Sequence, residues 1–300
     1  MTMSTEVRQN TGKLKRPTIG DWVIVAIMVL LIIACLLPVI TVVATSFSSP
    51  AAVMRRDVTF LPVEFQVDAY RNVLTDSRFM RSLAWTGIVT AIAVVVNLTM
   101  TVLCAYPLTY ESLKGRKVLT VLIIFTMYFG AGLVPTFILF RTLGLLDNPA
   151  VLVLPGMISV FLMIIMRNFF MGIPESLKES AEMDGAGPMT CLWKVYLPLS
   201  MPVLATIGLF YAVGRWNGFM DALFFLPGAR DYHPIQLLLF NILNGLTQVD
   251  TLDPGDVAIP GMGPVTEAAA IVIALVPILC VYPFAQKYFV AGATLGAVKG

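Results

Sequence analysis

Apolar residues along this chain fall into long uncharged blocks, not the short alternating or amphipathic runs of a water-soluble fold. Trp22 to Met54 contains no charged residue, and its apolar part runs to about Phe47. Ser82–Tyr110, Val118–Phe140 and Asn148–Met166 follow as further uncharged blocks. A fifth begins with Val195–Gly214 and continues through Phe225, and Ala268–Gln286 gives a sixth. Crossing the hydrocarbon core takes about 20 apolar residues in a helix. No block alternates with period two over ten residues, as a membrane barrel strand would. The pattern predicts an all-α membrane protein with six transmembrane helices.

Composition agrees. The chain is 58% hydrophobic and 13% charged, with a mean hydropathy of +0.84, whereas soluble domains carry about a quarter charged residues. A secreted disulfide scaffold, a disordered chain and a nucleic-acid-binding domain all fit these figures poorly. The net charge of +2 implies no polyanionic partner. Basic residues set the orientation. With the N-terminus inside, Lys13, Lys15, Lys114, Lys117, Lys178, Lys194, Lys287 and Lys299 all face the cytoplasm. The outer side then receives only arginines, such as Arg55, Arg56, Arg71 and Arg230. N-in, C-in is the expectation. The first apolar run is about 25 residues, longer than the 7–15 of a signal peptide, so it reads as a retained helix. Cys35, Cys104, Cys191 and Cys280 lack metal or redox spacing and read as packing residues. His233 is the sole histidine, so no metal site and no Ser–His–Asp triad is expected.

The loops carry the remaining information. Residues 1–21 read as a cytoplasmic tail, 22–290 as the membrane domain and 291–300 as a second cytoplasmic tail, with the first dozen residues disordered. The outer loops, about 48–81 and 227–263, are polar and rich in turn residues. The second is long enough to fold over the outer mouth and meet a soluble partner, or to serve as a solvated connector. The cytoplasmic loop 172–198 differs from both. Pro174 and Glu175 suit the first turn of a helix. Leu177, Ala181 and Met183 can lie toward one side, with Glu175, Lys178, Glu179 and Glu182 toward the other. Gly185 and Gly187 permit a reversal, Pro188 starts a second short helix carrying Leu192, Trp193, Val195 and Tyr196, and Pro198 ends it. The residues alone leave two readings: a bracket offered to a cytosolic partner, or a connector lying on the lipid interface.

Here the sequence acquires a resemblance. Glu179-Ser-Ala-Glu-Met-Asp184-Gly185-Ala, with Pro188 and Leu197-Pro198 beyond, resembles the EAA loop of binding-protein-dependent ABC importer permeases. Ser180 stands where that family usually has Ala, a small-for-small departure. Arg167-Asn-Phe-Phe, Trp216-Asn217, Pro234-Ile-Gln236, Tyr282-Pro-Phe-Ala-Gln-Lys-Tyr-Phe-Val and the Gly292–Gly300 ending are similar to carbohydrate permeases of the maltose type. The subgroup handling oligosaccharides or polysaccharide fragments is the nearest in detail. The resemblance implies the type I ABC importer permease fold and half of a translocation pore. It also implies a second, nonidentical permease, two cytoplasmic ATPase subunits that bind ATP and Mg, and an extracytoplasmic solute-binding protein. The chain itself needs no cofactor and is no enzyme. It has no GxxxxGK[ST] phosphate loop, so energy must enter from a partner.

By the same resemblance Glu179, Ser180, Ala181, Asp184, Gly185, Pro188, Leu192, Trp193 and Pro198 form the ATPase-coupling loop. Glu179 would cap or salt-link the ATPase surface, Gly185 would make the turn, and Leu192 with Trp193 would fill the docking cleft. Thr294, Gly296 and Lys299 would lie in a tail between the ATPase subunits. For the substrate path the residues leave choices open. Arg215, Trp216, Asn217 and Asp221 form an ionisable and aromatic cluster within span five. In a span starting at Leu199, Arg215 lies about 24 Å along. It is either a structural arginine, snorkelling or paired, or part of a polar lining where Trp216 stacks on sugar. Asn97 and Tyr128 are further polar candidates, or interhelical hydrogen-bonding residues. The outer arginines hint at an acidic saccharide such as a uronate oligomer. The alternatives are an importer for another solute class (peptides or lipoprotein-linked substrates), an ion-coupled carrier, or a membrane-embedded enzyme.

Overall fold

The computed structural model describes residues 18–244 and 263–297, with the side chains of the last helix as far as Val281. The expected disorder of the first dozen residues, and Lys299, lie outside the described residues. Helix α1 (Ile19–Ser46) follows Thr18, whose backbone N–H donates to Asp21 at 2.7 Å and opens the helix. Its apolar side chains are exposed over nearly the whole length, as suits a helix whose solvent is lipid. It runs along α14 (Pro264–Ala297). Residues 291–297, read from sequence as tail, continue that helix.

Between α1 and the second span, α2 (Pro50–Met54) and α3 (Asp68–Thr75) shape the loop of residues 48–81. The loop closes on itself: the Ser49 N–H donates to the Val63 carbonyl at 3.2 Å and the Gln66 N–H to Phe47 at 2.9 Å. Phe47 stacks on Phe65 and Tyr70. Helix α4 (Ser77–Ala105) is capped by Asp76, whose Oδ1 accepts from the N–H groups of Arg78 and Phe79, both at 2.9 Å.

The next three spans are broken. Helices α5 (Arg116–Tyr128) and α6 (Leu133–Thr142) occupy the third block but are bent by 111°. The interruption at Gly130-Ala131-Gly132 explains it: Gly132 sits at φ +84°, which breaks the helical path. In the fourth block, two 3₁₀ turns over Pro149–Gly156 precede α7 (Val160–Met171) at a 46° bend. The fifth block does not start at Val195. Helix α8 (Glu175–Met183) and α9 (Pro188–Cys191) form the expected helical bracket. A π-helical turn over Leu192–Tyr196 and α10 (Leu197–Leu199) then lead into α11 (Met201–Asn217) through an 83° bend. Pro198 therefore does not end the second helix; the corner is at Ser200. The wide turn gives the reason. The Leu197 N–H bonds the Leu192 carbonyl five residues back, so the ladder is already out of α register where Pro198 lacks a donor. Span five also stops early, at Asn217, and α12 (Met220–Phe225) is separate. Among the described residues, counting each bent pair as one crossing, three unbroken helices and three bent pairs give six.

Packing concentrates at the two ends. At the lysine-bearing end, α4, α7, α11 and the bracket share a core of Tyr106, Leu162, Met166, Phe170, Leu192, Tyr196, Ile207 and Tyr211. Gly208 brings α11 against α4: a Cβ there would meet Leu98 at 3.2 Å. Tyr211 ties three elements, bonding Thr101 at 2.7 Å and accepting the Ser159 N–H at 3.0 Å. At the opposite end, α13 (Ile235–Leu243) turns back into the protein and packs on α4 and α14, burying Ile235, Leu237, Leu239 and Ile242.

Candidate functional site

The bracket presents two faces with opposite character. Leu192 is only 1% exposed and packs into the protein's own core with Phe170 and Tyr196. It is not available to fill a partner's cleft, contrary to the expectation from sequence. Trp193, the next residue, is 64% exposed and Met183 88%. With Leu177 and Met189 these side chains give the bracket an apolar outer surface. Glu179, Ser180 and Asp184 are exposed beside it and Ala181 is half-buried. Gly185 makes the reversal at φ +82°, with open space where a Cβ would stand. A side chain there meets no neighbour but forces an L-residue into the left-handed region.

An aromatic cluster that sequence reasoning did not single out fastens this bracket to the bundle. The Tyr106 hydroxyl donates to the Pro188 carbonyl at 2.8 Å. Its proton is thereby committed, so Tyr110 donates to the Tyr106 oxygen at 2.5 Å. Tyr106 meets the rings of Phe170 and Tyr196 edge-on, with centroids at 6.1 and 5.1 Å. The Lys178 ammonium lies 4.3 Å from the Tyr110 ring centre and 3.9 Å from Glu182. Arg167 adds a bond from its Nε to the Leu108 carbonyl at 3.2 Å. The only sequence signal was the Tyr-Pro-Leu-Thr-Tyr spacing of residues 106–110, at the end of the second uncharged block.

The proposed substrate-path residues separate. Arg215, in the last turn of α11, is 9% exposed. It donates to the carbonyls of Leu152 at 2.6 Å and Gly218 at 3.0 Å, and to Asp221 at 3.1 Å. It thus ties the break in the fourth span to the break between α11 and α12. Trp216 is half-buried and its indole N–H donates to the Ala274 carbonyl at 3.3 Å, linking α11 to α14. Asn217 and Asp221 are exposed. Tyr128 is exposed at the α5 break, remote in character from buried Asn97, whose carboxamide oxygen has no partner. The backbones of Thr294 and Gly296 are helical. Among the described residues, no cluster of metal-ligating side chains occurs.

The opposite end holds its own latches. Arg81 pairs with Asp231, and the Trp85 ring meets Tyr232 edge-on. Asp147 Oδ1 accepts from the N–H groups of Gly228 and Ala229 at 2.6 and 3.1 Å. In the loop between α1 and α4, Glu64 bonds Ser49 and pairs with Arg55 at 2.9 Å. The Ser49 hydroxyl, and next the Arg55 guanidinium, hold the Glu64 carboxyl below its ordinary range.

Up to six candidate crossings among the described residues, three of them bent, and the corner bracket define a polytopic helical membrane protein. The chain belongs to the family described as binding-protein-dependent transport system inner membrane component, which matches residues 97–294. It is accordingly a multi-pass inner-membrane transport permease and not an enzyme. It is 40% identical over 285 residues to the polygalacturonan/rhamnogalacturonan transport system permease protein YtcP of Bacillus subtilis strain 168, covering 93% of this chain and 98% of that one. It is 26% identical over 298 residues to the arabinooligosaccharides transport system permease protein AraQ of Halalkalibacterium halodurans, covering 96% and 100%. Among solved structures, it superimposes with a TM-score of 0.81 and 36% identity on a chain of a bacterial ABC transporter involved in import of the acidic polysaccharide alginate, covering 91% and 98%.

Proposed function

We propose that this chain forms half of the pore of an ATP-driven importer for acidic oligosaccharides, and that the bracket of α8 and α9 receives the stroke of the ATPase. A second, nonidentical permease completes the pore. Two cytoplasmic ATPase subunits bind ATP and Mg, and an extracytoplasmic solute-binding protein delivers the cargo to the outer loops. The observation that carries this reading is the pair Leu192 and Trp193. One is sealed into the bundle and the other stands in the open, so a push on the outer surface is passed inward. The 83° corner at Ser200 lays the bracket across the end of α11, where a moving partner gains leverage on span five. Glu179 and Asp184, exposed beside Trp193, supply charge for the partner's rim.

The acidic cargo is supported by the polygalacturonan and alginate systems that share 40% and 36% identity with this chain. The outer arginines support it less than their number suggested. Arg55, Arg78 and Arg81 already pair with this chain's own carboxylates. Arg215 acts as a structural clamp. Exposed Asn217 and Asp221 remain the polar candidates beside the path.

The test is co-expression with the partner permease and ATPase, reconstitution, and ATP hydrolysis measured with the loaded binding protein. Oligogalacturonate or oligoalginate should stimulate hydrolysis several-fold more than neutral maltooligosaccharide. Equal stimulation by the neutral sugar would overturn the acidic assignment.

A further inference from the structure

A cavity of about 760 Å³ opens at the lysine-bearing end, between the start of α5 and the end of α7. Its mouth is lined by Arg116, Lys117 and Arg167, with Glu111 as the one carboxylate, and its wall by Leu113, Val118 and Val121. None of the three cations makes an ion pair among the described residues. Arg116 and Arg167 are held in place by backbone carbonyls instead: Arg116 Nη1 reaches Thr109 at 3.4 Å and Arg167 Nε reaches Leu108 at 3.2 Å. Two guanidiniums and an ammonium are therefore gathered around one volume with Glu111 as the only facing carboxylate, and an anion between them would offset the remaining positive charge.

The chemistry of the anion follows from the wall. Val118 and Val121 are exposed, and the exposed apolar surface continues along α5 through Leu122 and Phe125. The cavity thus has a cationic mouth and an open apolar flank that continues along a helix of the third span. A free inorganic anion would use the mouth and leave the flank in contact with nothing of its own kind. We propose that this cavity binds the phosphate headgroup of an anionic phospholipid of the adjacent leaflet, with an acyl chain lying along Val118 and Val121. Its volume lies within the usual range of about 300–1,000 Å³ for small-ligand sites, and basic pockets beside membrane helices suit such headgroups.

The experiment uses the assembled importer in nanodiscs of phosphatidylcholine doped with phosphatidylglycerol, read by native mass spectrometry of retained lipid. Among the described residues the Lys117 side chain makes no hydrogen bond or ion pair, so Lys117→Gln, and the double variant with Arg116→Gln, are the informative substitutions. The wild type should retain phosphatidylglycerol over phosphatidylcholine by about tenfold, corresponding to about 1.4 kcal/mol. The double variant should lose that preference while subunit composition and Tm stay unchanged. Millimolar inorganic phosphate or glycerol phosphate should not displace the lipid; displacement by either would assign the site to a soluble phosphate and overturn the lipid assignment. Equal retention of phosphatidylglycerol by wild type and double variant would also overturn it. So would loss of the ATPase subunit from the double variant, which would show that the cations face an acidic partner.

Discussion

The Tyr106 hydroxyl, just past the end of α4, is hydrogen-bonded at 2.8 Å to the carbonyl of Pro188, the first residue of α9. One bond thus joins the second span to the bracket. Tyr106→Phe keeps the ring against Phe170 and Tyr196 but strands the Pro188 carbonyl and the Tyr110 hydroxyl. The loss should be about 1–2 kcal/mol, seen as a lower midpoint in thermal unfolding of the detergent-solubilised complex. Tyr106→Ala should cost more, about 3–5 kcal/mol, because the buried ring goes too.

Leu192 and Trp193 should respond to alanine in opposite ways. Leu192→Ala removes a side chain from the core and should lower stability by about 2–5 kcal/mol. Trp193→Ala should leave the thermal midpoint within a degree or two, yet abolish binding-protein-stimulated ATP hydrolysis. Midpoint and hydrolysis measured side by side on both variants separate the two roles.

At Gly185, with φ +82°, any L-residue carries strain of about 1–2 kcal/mol. Gly185→Asn should be tolerated better than Gly185→Ala, since Asn enters the left-handed region more readily. Gly185→Glu should abolish transport and substrate-stimulated hydrolysis while the chain still inserts in the membrane. Uptake of labelled oligosaccharide into proteoliposomes ranks the three.

Arg215 and Asp221 form an unequal pair, with side chains 9% and 51% exposed. Asp221→Asn should cost no more than about 1 kcal/mol, as for an exposed partner. Arg215→Met should be the more damaging, because it strands the carbonyls of Leu152 and Gly218. A comparison of thermal midpoints checks the order; equal effects would show that the ion pair, not the backbone stitching, is what matters.

Glu64 predicts a pH dependence in the outer loop. Its carboxyl is held below the ordinary range by Ser49 and Arg55. A group with a lowered folded pKa stabilises fully above its unfolded pKa, and the contribution is lost as pH falls through the folded pKa. The stability difference between wild type and Glu64→Gln should therefore be constant near neutrality and shrink only below the ordinary carboxylate range. Thermal midpoints of both proteins across that acid range provide the check.

The apolar blocks made the six crossings legible, because lipid demands length and absence of charge whatever the tertiary fold. The breaks were less legible. Gly130 and Gly132 sit in an apolar block that reads as continuous by hydropathy, and only the positive φ of Gly132 shows the chain turning. Pro198 looked like a helix stop, yet the wide turn ahead of it absorbs the missing donor and moves the corner to Ser200. The bracket's position was readable from its prolines, glycines and charges. Which of two adjacent apolar residues faces inward was not, because a turn of π-helix shifts the face that simple α periodicity would assign. Arg215 shows the same limit: sequence places a charge in a span, but its backbone partners at Leu152 and Gly218 come from breaks that sequence did not reveal.

On the proposed function, the outer surface of the bracket meets an ATPase rather than lipid. A photo-crosslinking residue at position 193, in the co-expressed importer in native membranes, tests it directly. A covalent adduct with the ATPase subunit, with a yield that changes when ATP is added, is the expected result. Adducts with lipid alone, in the intact complex and insensitive to ATP, would contradict it.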